Sequence, residues 1–596
     1  MPGKTVADHL LERLLAWGVE RVFGYPGDGI DGLIGAFGRL EGKLPFIQTR
    51  HEELAAFMAC GHAKFTGRTG VCMATSGPGA IHLLNGLYDA KADHQPVVAI
   101  VGQQARSALG GDYQQEVDLA ALFKDVASDY VQTIMVPEQA RHVIDRAMRI
   151  AEERRSVTCV IVPADVQMLA AVETPPREHA MVVSGIGRTG RARVPDAASL
   201  QAAADILNAG ERVAILAGAG ALHAGDELAA VADALGAGVA KALLGKAALP
   251  DDLPYVTGSI GLLGSAPSWE LMSGCDTLLM VGTSFPYSEF LPEEGQARAV
   301  QIDVDGRRLG LRYPTELNLV GDSAATLAAL LPLLKPKADR AWRERVEASV
   351  ARWWKVLETR AMQAANPVNP QRVFWELSPR LPDESIVCWD TGTSTTWFAR
   401  DLKLRRGMLS SGSGGLATMG PALPYALAAK HAYPDRPVLA LVGDGAMQMN
   451  GLNALVTLAA SWRSWADPRL VVMVLDNADL NMVTWEQRAI SGDPKFEPSQ
   501  VLPPFPYADY ARLLGLDAVR VASPDEVGPA WERAFAADRP VLLQMVTDAD
   551  VPPSPPHVGM EQMKNLALAV VKGDAQARRI IAASVKEWWA SLAPDA

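Results

Sequence analysis

The sequence predicts an α/β protein with three doubly wound parallel-sheet domains and a helical C-terminal tail. Two observations predict this fold class. Short apolar runs alternate with longer helical patterns along most of the chain, which is typical of parallel sheets covered by helices on both faces. The chain also has 596 residues, too many for one hydrophobic core.

We place the domains at residues 1–185, 195–336 and 370–548, and the tail at 549–596. Residues 176–195 are rich in Pro, Gly and Arg and lack an apolar period, which predicts a linker. Residues 337–370 predict a charged amphipathic helix followed by a turn at Asn366-Pro367. The third domain repeats the strand–helix rhythm of the first, which suggests two related sheets able to face one another.

Composition excludes several classes of protein. The net charge of -12 argues against a nucleic-acid partner, because phosphate binding needs a basic face. The five cysteines form no CxxC pair, as expected of buried thiols in the reducing cytoplasm. No apolar run reaches the roughly eighteen residues of a membrane span, and the N-terminus has the pattern of an amphipathic helix rather than a signal peptide.

The sequence of the first domain predicts five strands and two strand-to-helix turns that could carry functional groups. The strands are 21–24, 45–49, 70–75, 97–102 and 158–162. The second strand leads into a helix whose first turn holds Glu52 and Glu53. Acidic residues there stabilise the helix dipole, although such a corner is also where a catalytic carboxylate would lie. Gly77-Pro78-Gly79 joins another strand to a helix, and its backbone N–H groups could approach a ligand.

The sequence of the second domain predicts strands at 212–216, 239–242, 277–281 and 299–302. Its glycine-rich turn, AGAGALHAG, is not a full GxGxxG, so it indicates a dinucleotide site only weakly. The strand ends that carry Gly282-Thr283-Ser284 and Asp303-Val304-Asp305 favour a nucleotide cofactor somewhat more.

The third domain contains the most informative stretch, residues 437–488. Two buried strands, 437–442 and 470–475, end in Gly443-Asp444-Gly445 and Asp476-Asn477. Ligands collect beyond the carboxyl ends of parallel strands, and Mg²⁺ takes oxygen ligands together with phosphate. A tight turn that caps a helix is the simpler alternative for Gly-Asp-Gly alone. Because Asn477 lies at the next strand end, we favour a magnesium diphosphate site.

The tail ends in an amphipathic helical pattern. One face carries apolar residues and the remainder carries Arg578, Arg579 and Lys586. Such a helix can lie in a membrane interface or dock on its own protein, and docking is slightly favoured. The apolar face consists of Ile580, Ile581, Val585, Trp588, Trp589 and Leu592.

The combination of Asp444, Asn477 and Glu52 resembles thiamine diphosphate-dependent enzymes. Within that superfamily the chain is most similar to the pyruvate oxidase and pyruvate:quinone dehydrogenase branch, with acetolactate synthase nearby. The resemblance spans essentially the whole chain. The segments that carry it are RHEELAAF (50–57), TSGPGAIHLLNGLYDA (75–90), GTSFPY (282–287), QIDVD (301–305), LATMGPALPYALAAK (416–430), and GDG with DNADLNMV (443–483).

The resemblance implies the following roles around the cofactor. Glu52 would hydrogen-bond the aminopyrimidine and promote its imino tautomer, which takes the proton from thiazolium C2. Met419 would hold the cofactor in its bent shape. Mg²⁺ would be bound by Asp444, Asn477 and the backbone carbonyl of Asp479. The other cofactor-binding positions are Ala417, Thr418, Gly445, Ala446, Ala478, Leu480, Asn481, Met482 and Val483.

The resemblance also implies substrate contacts. Met482, Val483 and Glu486 would line the substrate side of the thiazolium, and Trp485 would serve packing. Relatives carry Phe-Gln-Glu near the active site, where this chain reads Gln114-Gln115-Glu116, so Gln115 is a matching catalytic residue. Gln114 replaces the phenylalanine. A buried amide there needs a partner, which indicates a more polar or larger substrate. Asp476 replaces a common asparagine and is expected to change little.

In the resembling oxidases the middle domain binds FAD, and we expect FAD here. The matching positions are Ile260, Gly261, Leu262, Leu263, Thr283, Ser284, Phe285, Pro286, Tyr287 and Asp303.

The implied function is oxidative decarboxylation of a pyruvate-like 2-oxoacid, with electrons passing through FAD to a quinone or O₂. The alternative is a non-redox decarboxylase or carboligase of the acetolactate synthase type. A third possibility, a cofactor-binding scaffold without catalysis, is disfavoured because Glu52, Asp444 and Asn477 are intact. In the family Glu52 reaches cofactor on another subunit, which implies a homodimer or homotetramer. Localisation is expected to be cytoplasmic, or peripheral on the inner face of the cell membrane through the tail.

Overall fold

The computed structural model describes residues 3–187, 193–553, 555, 560–577 and 579. In this part of the chain the strands form three six-stranded sheets, and every strand pair is parallel. Helices cover the sheets, so the predicted fold class is confirmed.

The first sheet contains one strand that the sequence did not reveal. The strand order is β2-β1-β3-β4-β6-β5, and β5 was missed because it is short and only partly buried. The strands are β1 Val22–Gly24, β2 Phe46–Gln48, β3 Gly70–Ala74, β4 Val97–Gln103, β5 Val131–Thr133 and β6 Val157–Pro163. The helices are α1 Val6–Ala16, α2 Asp31–Arg39, α3 Glu52–Thr66, α4 Pro78–His82, α5 Leu84–Ala92, α6 Leu119–Leu122, α7 Ala140–Arg154 and α8 Ala164–Gln167.

The middle sheet has a different order, β12-β11-β10-β7-β8-β9. Numbered within the domain, this is the 3-2-1-4-5-6 order of dinucleotide-binding folds. The strands are β7 Val213–Ala217, β8 Gly238–Lys241, β9 Val256–Ser259, β10 Thr277–Val281, β11 Arg298–Asp303 and β12 Leu317–Val320. The helices are α9 Ala197–Ala209, α10 Gly225–Ala234, α11 Ala266–Gly274 and α12 Ser323–Leu330, and α13 Ala341–Ala361 follows the domain.

The third sheet has the order β14-β13-β15-β16-β18-β17. Numbered within its domain, this is the order of the first sheet, so the two domains share one topology. The strands are β13 Ile386–Trp389, β14 Leu409–Ser411, β15 Val438–Gly443, β16 Leu470–Asp476, β17 Asp517–Val521 and β18 Val541–Val546. The helices are α14 Pro370–Leu377, α15 Thr393–Asp401, α16 Ala422–Ala432, α17 Asp444–Ala446, α18 Leu452–Ser461, α19 Asn481–Glu486, α20 Glu497–Gln500, α21 Tyr507–Leu513 and α22 Val527–Ala536.

The first and third domains pack together through α3 and α16. A Cβ added to Gly61 would lie 3.0 Å from the Cα of Tyr425, so the glycine permits close approach of the two helices. One apolar core continues from the first sheet through Phe57 and Tyr425 into the third. The α3–α16 contact thus positions the start of α3, where Glu52 lies, relative to the third domain.

The connecting segments agree in part with the sequence predictions. Residues 171–187 contain no helix or strand, as a linker predicts. The tail contributes α23, Met560–Val571, whereas the apolar face predicted for Ile580 to Leu592 lies outside the described residues. No described helix is long and apolar enough to cross a membrane. All five cysteines are buried and unpaired.

Candidate functional site

Asp444 and Asn477 meet at the carboxyl edge of the third sheet. They follow β15 and β16, which are adjacent parallel strands with Gly443 opposite Leu475. The Asp444 Oδ2 accepts hydrogen bonds from the backbone N–H groups of Asn477 at 2.9 Å and Ala478 at 2.6 Å. The backbone N–H of Gly445 donates to Oδ1 at 2.9 Å. The carboxylate therefore fixes the turn that presents the Asn477 amide.

Two carboxylates, those of Asp444 and Asp476, lie close together at this edge. Burial, and then the neighbouring Asp476 carboxylate, raise the pKa of Asp444 to about 7. Burial also raises the pKa of Asp476, whose Oδ2 accepts from Gln544 Nε2 at 2.7 Å. A buried carboxylate whose proton affinity is raised by a second carboxylate is a favourable setting for a hard cation with oxygen ligands. Asp476, expected to change little, thus adds to the electrostatics of Asp444.

Asp479 can contribute only its carbonyl to a metal. Its side chain accepts hydrogen bonds from Thr484 Oγ1 at 3.0 Å and Asn481 Nδ2 at 3.1 Å. It also forms a buried ion pair with Lys495 at 2.9 Å. Two backbone hydrogen bonds flank Asp479, and they are accepted by the carbonyls of Ala478 and Gln500. Neither involves the Asp479 carbonyl.

Met419 reaches the same turn from the loop before α16. A Cβ added to Gly445 would lie 3.2 Å from Met419 Cε and 2.6 Å from Leu480 Cδ2. Gly445 is therefore the position where the Met419 loop and the 478–480 turn converge. The α17 helix begins here, so the backbone N–H groups of Gly445 and Ala446 lie at a helix start, and a π-helical turn follows over Met447–Gly451. π-Turns are frequent at functional sites.

The Met419 loop is held by a residue that sequence reasoning missed. The fully buried Asp390 carboxylate accepts from the backbone N–H of Gly420 at 2.8 Å and of Ala422 at 3.1 Å. Burial raises the pKa of Asp390 to about 7. Thr391 Oγ1 adds a bond to the Thr418 carbonyl at 2.8 Å. The signal available in sequence was a carboxylate at the end of a buried strand.

The first domain also forms hydrogen bonds to the Met419 loop. Asp93 accepts from the backbone N–H groups of Gly414 at 2.9 Å and Gly415 at 2.5 Å. Asn85 Nδ2 donates to Thr418 Oγ1 at 3.0 Å and also to the Glu53 carboxylate. The Met419 loop and the start of α3 are therefore tied together within one chain.

Glu52 lies at the start of α3 and is 7% exposed. Its Oε2 is 3.0 Å from Nδ1 of His82, a residue that sequence reasoning did not single out. A Cβ added to Gly79 would lie 3.2 Å from Glu52 Oε1, which places the glycine turn beside the glutamate. Among the described hydrogen bonds, the side chains of Glu52 and Asp444 share no partner, so one chain holds them in separate clusters.

Gln115 and Gln114 lie on the loop after β4. Gln115 adopts a left-handed backbone with φ of 62°, and Ser76 Oγ donates to its Oε1 at 3.3 Å. Gln114 is exposed in the chain, so the expectation of a buried amide is wrong for the single chain. Positive φ costs a non-glycine residue energy and is concentrated at functional sites. Ala417 at 52° and Ala478 at 56° share this feature with Gln115.

The proposed substrate side of α19 is partly open. Val483 is 49% exposed, Met482 is half-buried, and Trp485 is buried. Partial burial raises the pKa of Glu486. Just after α19, the fully buried Arg488 forms an ion pair with Asp574 of the tail at 2.9 Å, which holds this segment in place.

The predicted FAD positions converge at the carboxyl edge of the middle sheet. The 283–287 segment extends from the end of β10 to the end of β9. A Cβ added to Gly261, which follows β9, would lie 2.9 Å from Phe285 Cζ. Asp303, at the end of β11, is buried, which raises its pKa. The second strand of the dinucleotide fold commonly ends in an acidic residue that binds ribose. Here that strand, β8, ends in Lys241, fully buried and paired with Asp251 at 2.8 Å.

Comparison with known proteins gives matches in all three domains. Family models match residues 4–122 as the thiamine pyrophosphate enzyme N-terminal TPP binding domain, 200–330 as the central domain, and 390–545 as the C-terminal TPP binding domain. The YdaP protein of Bacillus subtilis (strain 168) is 34% identical over 589 residues, which cover 98% of this chain and 99% of that protein.

Two further relatives carry named activities. Pyruvate oxidase of Lactiplantibacillus plantarum is 30% identical over 549 residues, covering 91% of this chain and 88% of the relative. Acetolactate synthase of Mycobacterium avium is 28% identical over 572 residues, covering 92% and 88%. The three domain matches, together with the geometry around Glu52, Asp444 and Asn477, give one conclusion: the chain belongs to the thiamine pyrophosphate (thiamine diphosphate) enzyme family.

Proposed function

We propose that this protein catalyses oxidative decarboxylation of a pyruvate-like 2-oxoacid, using thiamine diphosphate, Mg²⁺ and FAD. When bound, thiamine diphosphate supplies a nucleophilic carbon and an electron sink for decarboxylation. With pyruvate and a quinone, the balanced reaction is pyruvate, water and quinone giving acetate, CO₂ and quinol. O₂ is the other candidate acceptor. The relative named pyruvate oxidase, alignable over 91% of this chain, supports the 2-oxoacid and redox parts of the proposal.

The residues of this chain have separate tasks in the proposal. Asp444, Asn477 and the Asp479 carbonyl would hold Mg²⁺, and the N–H groups at the start of α17 would bind the diphosphate. Glu52 would hold or release a proton at the aminopyrimidine, in a buried position that strengthens this hydrogen bond. Met419 would support the cofactor from the loop that Asp390 fixes.

The observation that supports FAD binding, on which the redox proposal depends, is the crossing of the 283–287 segment over the middle sheet. It brings Phe285 against Gly261 and joins the two segments proposed to bind FAD, with Asp303 at a neighbouring strand end. The buried Lys241–Asp251 pair removes the acidic ribose contact expected of a classical NAD site. The FAD proposal therefore rests on the Gly261 and 283–287 segments rather than on an acidic ribose contact.

A carboligase of the acetolactate synthase type is the second candidate. The exposed Gln114 favours it, because an open polar loop leaves room for a second 2-oxoacid. We further propose a homodimer or homotetramer in the cytoplasm. Contact of the tail with the inner face of the cell membrane is an additional proposal, which liposome binding of the full chain and of a chain cut after residue 573 would test.

Product analysis under anaerobic conditions distinguishes the two reactions. Purified holoenzyme is incubated with pyruvate and a soluble quinone. We expect acetate and quinol in equal amounts, with no turnover when the quinone is omitted. Acetolactate or acetoin formed at the same rate without an acceptor would select the carboligase instead.

A further inference from the structure

His82 is the side chain that contacts the buried carboxylate of Glu52. Its Nδ1 lies 3.0 Å from Glu52 Oε2, at the last residue of α4, the short helix that follows the Gly77–Gly79 turn. The side chain of Glu52 is 10% exposed, whereas the side chain of His82 is 45% exposed. One ring thus contacts the buried carboxylate at one nitrogen and is open to solvent elsewhere.

The two oxygens of Glu52 have different surroundings. Oε2 contacts His82, while Oε1 faces the glycine turn at Gly79. A carboxylate held at one oxygen by an imidazole keeps the other oxygen available for a ligand. His82 therefore fixes the orientation of Glu52 without occupying both of its acceptors.

The neighbouring His51 makes different contacts. Its ring stacks on His82 with centroids 4.6 Å apart, but its Nδ1 accepts from the backbone N–H of Glu53 at 3.2 Å and caps α3. Glu53 is the other ionisable group nearby, 4.0 Å from His51 Nδ1, and its carboxylate binds Asn85. Of these groups, His82 is the one in hydrogen-bond contact with Glu52.

We propose that His82 positions the Glu52 carboxylate and also exchanges protons between that carboxylate and water. In the direction of protonation, Nδ1–H donates its proton to the Glu52 carboxylate while the other ring nitrogen takes one from hydronium. The ring stays neutral and changes tautomer, and one water is released; the reverse sequence deprotonates Glu52. This proposal rests on the assignment of Glu52 as the carboxyl group that activates the cofactor.

Two substitutions separate proton exchange from simple positioning. His82→Asn keeps an amide near the position of Nδ1, so it can hold Glu52, but it cannot relay a proton. His82→Ala removes the ring and leaves space for free imidazole. His51→Asn is the matched control, because asparagine retains an N-cap acceptor while the adjacent ring is lost.

The first measurement is deuterium exchange at C2 of bound thiamine diphosphate, by acid quench and proton NMR. It needs neither a 2-oxoacid nor FAD, so failure of the proposed oxidation leaves this test intact. We expect His82→Asn and His82→Ala to slow exchange about 10²-fold, as for loss of a general acid–base group. Imidazole should restore exchange in His82→Ala but not in His82→Asn, and His51→Asn should stay within about twofold of wild type.

The second measurement uses the protein before cofactor is added. Carbethoxylation of His82 by diethyl pyrocarbonate, followed by peptide mass spectrometry, reports the contact with Glu52. We expect the rate at His82 to change in Glu52→Gln and to stay constant in Glu53→Gln. Wild-type C2 exchange in His82→Asn, or a His82→Ala protein that is folded and slow but unaffected by imidazole, would overturn the proposal.

Discussion

Magnesium binding should weaken at mildly acid pH because Asp444 must lose a proton to bind it. The pKa of Asp444 is about 7, well above the ordinary value for aspartate. A raised pKa means that the protonated form dominates below it. The carboxyl group is therefore about nine-tenths protonated at pH 6 and about one-tenth protonated at pH 8. The apparent affinity for Mg²⁺ should fall about tenfold between pH 8 and pH 6.

Replacing Asp476 isolates the structural cause of this effect. Its charge is the second contribution to the raised pKa of Asp444, after burial. Asp476→Asn should lower that pKa, so the loss of Mg²⁺ affinity between pH 8 and pH 6 should become smaller. Titration of the diphosphate itself is common to both proteins and cancels in the comparison.

Isothermal titration calorimetry of Mg²⁺ into protein saturated with thiamine diphosphate measures both quantities. Repeating the titration in buffers of different ionisation enthalpy counts the protons released, which should approach one per Mg²⁺ at pH 6 after subtraction of the free-cofactor value. Equal losses of affinity in wild type and Asp476→Asn would refute the assigned role of Asp476. An affinity that is the same at pH 6 and pH 8 would refute the raised pKa.

Three further substitutions test other parts of the site. Glu52→Gln should retain thiamine diphosphate but lower turnover by about 10²–10⁴-fold; a near-normal rate would show that another group activates the cofactor. Gly445→Ala places a methyl group 2.6 Å from Leu480, so it should cost about 1–3 kcal/mol in unfolding free energy and weaken cofactor binding; unchanged calorimetric affinity would contradict this. Asp574→Ala removes the ion-pair partner of the buried Arg488 and should cost about 3–5 kcal/mol in denaturant unfolding, whereas Arg488→Met with Asp574→Leu should regain much of that loss.

The sequence was sufficient to place Asp444 and Asn477 together. Both follow long buried apolar strands, and adjacent parallel strands end at one edge, so local pattern determined their proximity. Two strands that the sequence analysis did not predict, β5 and β12, are short and partly exposed. Their apolar runs are too short to separate them from loops.

Contacts between distant segments could not be read from the sequence. Asp390 binds the Met419 loop across about thirty residues of chain, and no local pattern specifies that pairing. His82 follows a recognisable glycine turn, but its contact with Glu52 depends on how α3 and α4 pack. Gln114 was expected to be buried because of the residue it replaces in relatives, whereas the single chain leaves it exposed.

The visible absorbance spectrum of the purified protein tests the central claim most directly. Anaerobic addition of pyruvate to the holoenzyme should bleach a flavin band, and a quinone or O₂ should restore it. Glu52→Gln should carry the same band and remain unbleached. A protein that has no flavin band and gains no activity from added FAD, or one that turns over pyruvate while its flavin stays oxidised, would contradict the proposed oxidative decarboxylation.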